Sequence, residues 1–193
     1  MYNQFNQRSA EGLPGKEAPM NRKRVEKLVL SAVFCALVFA ATWISVPAPS
    51  VGNVNLGDAM ILLCAWILGG PWSVVAAAMG AALTDLAGGY AIYAPGTLVI
   101  KALMVAVALG VCRLMKGLRV SDFWARLLSG IAAELVMIAG YLLYEAFFLS
   151  LGAGALLNLP FNAIQGTVCV TAALLCHQLL RRTGFFGKEK DLK

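Results

Sequence analysis

The placement of basic residues constrains this chain more than any motif does. Of its 16 Lys and Arg residues, 15 fall before Leu28, between Arg113 and Arg126, or after Gln178, and long apolar stretches separate the three groups. A charge at the centre of a bilayer costs about 2.5–3.5 kcal/mol on insertion scales, so such a pattern marks the wet ends of membrane helices. Lys101 is the exception: no other charged residue lies within ten positions of it on either side. A lone lysine in an apolar segment needs a partner or a function.

Composition supports the same class. A chain of 193 residues that is 60% hydrophobic and 13% charged, with a mean hydropathy of +0.74, does not compose a soluble domain. The net charge of +6 is spread over the flanks of apolar runs and does not form one groove, which argues against nucleic acid as a partner. Residues 1–24 are polar, are expected to be disordered and lack the apolar core of a cleavable signal; residues 25–182 form the membrane domain and 183–193 a basic tail. Cys35, Cys64, Cys112, Cys169 and Cys176 all sit in apolar segments without metal-ligand spacing, so they read as reduced, small hydrophobes. Neither a metal nor a cofactor is expected.

A spanning helix needs roughly 20 apolar residues. Residues 28–46 meet that, followed by an uncharged loop over 48–56. Residues 57–68 and 72–87 are shorter runs split by Gly69-Gly70-Pro71, a strong breaker, and suggest a hairpin that is tilted or shielded by protein. An uncharged loop over 88–95 leads to a helix at 96–112, then the basic stretch 113–126, then helices at 127–150 and 155–180. The expected fold is therefore an all-α integral membrane protein with six transmembrane helices. Both tails and the fourth loop are basic, whereas loops one, three and five carry no Lys or Arg; the positive-inside rule places both termini in the cytoplasm.

Polar residues inside these segments are few. Asp58 opens the second helix and Asp85 closes the third, while Thr97 and Lys101 stack on the fourth. On the fifth, Glu134, Tyr141 and Glu145 share one stripe; on the sixth, Asn158, Asn162 and Gln165 follow the i, i+4, i+7 rule. Most of them, with Tyr90, Tyr93 and Tyr144, fall near the outer loops and suggest an outward-facing pocket lined by helices four to six. The plainer reading has Lys101 paired with Asp85 or Glu145 as a structural tie, and Asp58 acting only as a helix cap. His177, beside Arg181-Arg182, reads as an interfacial anchor. Ala32, Ala36 and Ala40 form a small-residue ridge on helix one, and Ala76, Gly80 and Thr84 repeat it on helix three; such ridges serve internal packing or docking of another membrane subunit.

Several activities lack their parts. There is no phosphate-binding G-x-x-x-x-G-K-[ST] loop (residues 12–16 are a superficial echo), no nucleophile elbow, no H-E-x-x-H, and one His in the whole chain. The chain is thus not expected to be an enzyme or to hydrolyse ATP itself.

The segments Val54-Asn55-Leu56-Gly57-Asp58, Ala82-Leu83-Thr84-Asp85-Leu86, Gly89-Tyr90-Ala91-Ile92-Tyr93-Ala94-Pro95-Gly96-Thr97 and Ile100-Lys101-Ala102-Leu103-Met104 resemble the substrate-binding S components of energy-coupling factor (ECF) vitamin transporters. Within them they resemble the branch labelled riboflavin-type, which includes proteins linked to vitamin B6 and hydroxymethylpyrimidine. The resemblance runs over about residues 25–182. It implies a six-helix bundle in a prokaryotic plasma membrane that binds a vitamin near the outer face. It also implies helices one to three, with an Ala-x-x-x-Ala motif matched here by Ala32 and Ala36, docking on a transmembrane coupling subunit that works with two ATP-binding subunits. The bundle would topple to deliver its ligand inward.

The expected function is the substrate-binding subunit for uptake of a small vitamin, with a B6 or hydroxymethylpyrimidine compound first and riboflavin next. The substrate-binding candidates are Asn55, Asp58, Asp85, Tyr90, Tyr93, Thr97, Lys101, Tyr141, Glu145, Asn158 and Asn162. The docking candidates are Ala32, Ala36 and Ala40. The alternative is a proton-coupled secondary transporter using Glu134 and Glu145, against which stands the lack of evident two-repeat symmetry.

Overall fold

The computed structural model describes residues 22–47 and 53–183. The expected disordered N-terminal tail, the middle of the first loop and most of the basic C-terminal tail lie outside the described residues. Six helices dominate: α1 (Arg22–Trp43), α2 (Gly57–Ile67), α3 (Gly70–Ala87), α4 (Ala94–Gly117), α5 (Asp122–Leu143) and α6 (Leu159–Arg182). Helix α5 widens into a π-helical turn, Tyr144–Phe148, and α6 is preceded by a 3-10 helix, Gly152–Asn158. The expected boundaries at 150 and 155 are corrected accordingly: chain reversal there uses Ser150 at φ 55° and Gly152 at φ 53°, so regular α-helix stops earlier and resumes later.

The first helix ends at Trp43, not at residue 46. Ser45–Pro47 (β1) pairs antiparallel with Asn53–Asn55 (β2), with Val46 opposite Val54, so the expected loop is a short hairpin. The Gly-Gly-Pro breaker acts as anticipated. Gly69 and Gly70 both have positive φ, 62° and 65°, a region that costs a side chain but not glycine, and Pro71 then falls in the first turn of α3.

Among the described residues, four helical segments are long and apolar enough to cross a membrane: 24–43, 94–117, 122–148 and 152–182. Helix α2 has 11 residues and does not reach across a bilayer by itself. All of its residues except Met60 are buried, because α2 packs against α1, α3, α4 and α6. Protein shields it, so lipid thickness does not set its length. The core centres on α2, with Ile61, Leu62 and Cys64 meeting Val38, Met104, Val105, Met137 and Cys169. Neighbouring helices run α1, α3, α4, α5, α6, and α2 closes the circle between α6 and α1.

Small residues set the closest approach. A Cβ on Gly80 would stand 2.5 Å from the Cys35 carbonyl oxygen and 3.0 Å from Val38, so α3 lies directly on α1. Thr84 Oγ1 donates across the same seam to the Phe39 carbonyl (3.3 Å) and within its own helix to Gly80 (3.0 Å). The α3 ridge of Ala76, Gly80 and Thr84 is therefore internal packing. The α1 ridge is not: Ala32, Ala36 and Ala40 are exposed on the side opposite Phe34 and Val38.

Candidate functional site

At one end of the bundle the end of α1, the hairpin, the end of α3, the start of α4, the end of α5 and the start of α6 converge on a cavity of about 320 Å³. Alternation of helix direction brings these distant segments together. The walls are mixed: Trp43, Tyr90, Tyr93, Tyr141 and Phe161 supply rings, and Asn53, Asn55, Asn158, Asn162 and Gln165 supply amides. Asp85, Glu145 and Lys101 are its ionisable neighbours, with Thr42 and Thr97 as hydroxyls.

The floor is a buried network joining four parts of the chain. Lys101 Nζ donates to Asp58 Oδ1 at 2.5 Å, with both side chains almost fully buried. Gln165 Nε2 donates to the other carboxylate oxygen, Asp58 Oδ2, at 2.6 Å. Gln165 Oε1 in turn accepts the Asn55 backbone N–H at 2.9 Å, and Asn55 Oδ1 accepts the Gly57 N–H at 2.9 Å. One glutamine thus ties the hairpin, the start of α2 and α6 to the ion pair. Buried charges persist when paired and further hydrogen-bonded, and Asp58 meets both conditions.

The walls carry shorter links. Thr97 Oγ1 and Tyr141 Oη share a hydrogen bond of 3.0 Å, and the Lys101 ammonium lies 5.1 Å from the Tyr141 ring centroid. Asn158 Nδ2 donates to Glu145 Oε2 at 2.8 Å, holding the π-turn against the 3-10 helix. Tyr144 Oη donates to the Ile92 carbonyl at 2.7 Å and its ring lies tilted against Tyr93, 6.2 Å between centroids, closing the loop before α4. Three buried polar atoms on the wall make no hydrogen bond among the described residues: Thr42 Oγ1, Asp85 Oδ2 and Tyr93 Oη.

Ten of the eleven sequence candidates line the cavity: Asn55, Asp85, Tyr90, Tyr93, Thr97, Lys101, Tyr141, Glu145, Asn158 and Asn162. Asp58 does not; it is 1% exposed and sits behind the wall as the counter-charge of Lys101. Pairing of Lys101 with Asp85 or Glu145 is corrected, since Glu145 is bonded to Asn158 and the lysine reaches α2 instead. Asp58 accordingly does more than cap a helix. His177 is buried, edge-on to Trp66 at 6.1 Å between ring centroids, and borders the cleft that Arg126 and Arg181 line. Glu134, on the same stripe as Tyr141, is buried near Gly166 and does not line the cavity, and neither carboxylate oxygen has a hydrogen-bond partner among the described residues.

Thr42, Trp43, Asn53, Phe161 and Gln165 were not among the sequence candidates. Gln165 was visible as the third member of the Asn158 stripe. Trp43 and Phe161 left no signal, because an aromatic residue at a helix end reads equally well as a lipid contact.

The comparisons with known proteins decide the family. The family model for the "ECF-type riboflavin transporter, S component" matches residues 22–182. The chain belongs to that family. As an S component it is a multi-pass protein of the prokaryotic plasma membrane and a substrate-binding transport subunit. A solved structure described as "Structure and mechanism of the S component of a bacterial ECF transporter" superposes with a TM-score of 0.66 at 19% identity, covering 83% of this chain and 98% of that one. At that identity the likeness establishes the S-component fold. No curated protein matches the chain.

Proposed function

We propose that this S component captures a one-ring vitamin or precursor of the pyridine or pyrimidine type, vitamin B6 or hydroxymethylpyrimidine, and passes it to an ECF module for ATP-driven uptake. In this reading the cavity faces outside and the basic end of the bundle faces the cytoplasm. The observation that carries the ligand class is Asp85 Oδ2, a buried carboxylate oxygen without a hydrogen-bond partner among the described residues, on an aromatic wall. A basic ring nitrogen or a hydroxymethyl group is the natural partner for it, while tyrosine rings stack on the heterocycle. Lys101 is paired with Asp58, which offsets much of its charge, so it meets the ligand from below as one side of an ion pair. The cavity volume lies at the low end of the roughly 300–1,000 Å³ usual for small-molecule sites.

Riboflavin is the second reading, favoured by the family description and by the amides of Asn55, Asn158, Asn162 and Gln165. Calorimetric titration of the purified protein with pyridoxine, hydroxymethylpyrimidine and riboflavin separates the two. A one-ring compound should bind, and Asp85→Asn should weaken it by about tenfold, the worth of one charge-assisted hydrogen bond. Tight riboflavin binding that ignores Asp85→Asn would replace the ligand and keep the family.

The exposed Ala32, Ala36 and Ala40 ridge is the proposed contact for the coupling subunit, which works with two ATP-binding subunits. Its neighbours Val29, Val33 and Leu37 are exposed and uncharged, which suits close helix approach within lipid.

A further inference from the structure

At the end of the bundle opposite the cavity, cations outnumber carboxylates in a partly enclosed setting. Asp122, at the start of α5, accepts from Arg126 Nε at 3.1 Å and from Arg181 Nη1 at 3.0 Å, and lies 3.4 Å from Lys116 Nζ. Three cations share one carboxylate. Arg182 borders the same cleft, a space of about 310 Å³ between α5 and α6 that Phe123 and Leu174 line on the apolar side.

Basic residues at a helix end ordinarily extend into water, and positive-inside placement alone accounts for them. Arg126 does not behave that way. It is 8% exposed, and its Nη1 has no hydrogen-bond partner among the described residues. Its guanidinium is held over the Trp66 ring, 5.7 Å from the centroid. Trp66 is itself fixed, donating Nε1–H to Ser129 Oγ at 3.1 Å while Ser129 Oγ donates to the Arg126 carbonyl at 2.9 Å. A guanidinium positioned this firmly, with donor capacity left over and surplus positive charge around it, is built for an anion.

We propose that the cleft formed by Arg126, Arg181 and Arg182 binds a phosphate group, with the anionic headgroup of a membrane phospholipid as the ligand that its apolar side fits. Phosphate oxygens supply an acceptor for Arg126 Nη1 and charge partners for the exposed Arg181 and Arg182, and the acyl chains run along Leu174 and Phe123. This site is independent of the vitamin cavity and of its substrate.

The test is native mass spectrometry of the full chain in detergent, titrated with phosphatidylglycerol, phosphatidylcholine or inorganic phosphate. The wild type should retain one phosphatidylglycerol in preference to phosphatidylcholine. Arg126→Gln and the double variant Arg181→Gln/Arg182→Gln should weaken that retention by about fivefold for each arginine removed, the equivalent of about 1 kcal/mol per basic residue near an anionic surface. Arg181 and Arg182 are exposed, so the double variant tests the site without disturbing the Trp66 packing. Phosphatidylglycerol displaced by millimolar phosphate would keep the phosphate site and assign it to a soluble anion. Equal retention of both lipids, or retention unchanged in the double variant, overturns the proposal.

Discussion

Lys101 and Asp58, 43 residues apart in sequence, form a buried 2.5 Å ion pair that joins α4 to α2 beneath the cavity. Its aspartate sits on α2, the most enclosed helix of the bundle. Its lysine is also a cavity neighbour, so stability and ligand recognition share one side chain.

Removing one member of this pair leaves the other charged in the core. Lys101→Ala should lower stability by about 3–5 kcal/mol, the usual cost of breaking a buried pair. The double variant Lys101→Met/Asp58→Asn should recover much of that loss. Thermal and chemical unfolding in detergent would show it; a single variant as stable as wild type would mean that the pair is not formed.

Gln165 is the hinge between the pair and the hairpin. Gln165→Ala removes both the acceptor of the Asn55 N–H and the donor to Asp58 Oδ2. Each such bond is worth about 0.5–1.5 kcal/mol, more when charged, so ligand affinity should fall by roughly tenfold as the hairpin loosens. Faster ligand release with little change in association rate is the expected kinetic form.

Two small residues on the α1 and α3 ridges should respond differently to enlargement. Gly80→Leu forces α3 away from the Cys35 carbonyl and should cost about 1–3 kcal/mol of stability, as overpacking does. Ala32→Leu projects from the exposed side of α1 and should alter stability by no more than about 0.5 kcal/mol. If that side docks the coupling subunit, Ala32→Leu abolishes uptake in cells with ligand affinity intact. Loss of affinity as well would remove the docking role.

Glu134 separates ATP-driven from proton-coupled uptake. Both of its oxygens are buried without hydrogen bonds among the described residues, so Glu134→Gln removes a costly carboxyl and should leave the protein at least as stable. Uptake should persist in the variant and vanish on ATP depletion. Loss of uptake in Glu134→Gln, with transport surviving ATP depletion, would restore the secondary-carrier reading.

Much of this architecture is legible in one dimension because a bilayer penalises charge. Grouped Lys and Arg delimit the segments, Gly69-Gly70-Pro71 marks the α2–α3 turn, and polar residues at helical spacing point to the walls later found around the cavity. Helix ends near residues 45 and 150 were less visible. There the hairpin and the π and 3-10 turns depend on contacts with other segments, such as Gln165 to Asn55 and Asn158 to Glu145.

Local sequence determined where the chain is apolar, where it turns and that Lys101 requires an answer. Only the tertiary structure decided that the answer is Asp58. Helical periodicity places side chains on faces but says nothing about which faces meet, so the sequence pointed the lysine to Asp85 or Glu145 and left Asp58 as a helix cap. The same limit applied to the two small-residue ridges. Composition made them look alike, and packing of α3 on α1 buried Gly80 while leaving Ala32, Ala36 and Ala40 on the surface.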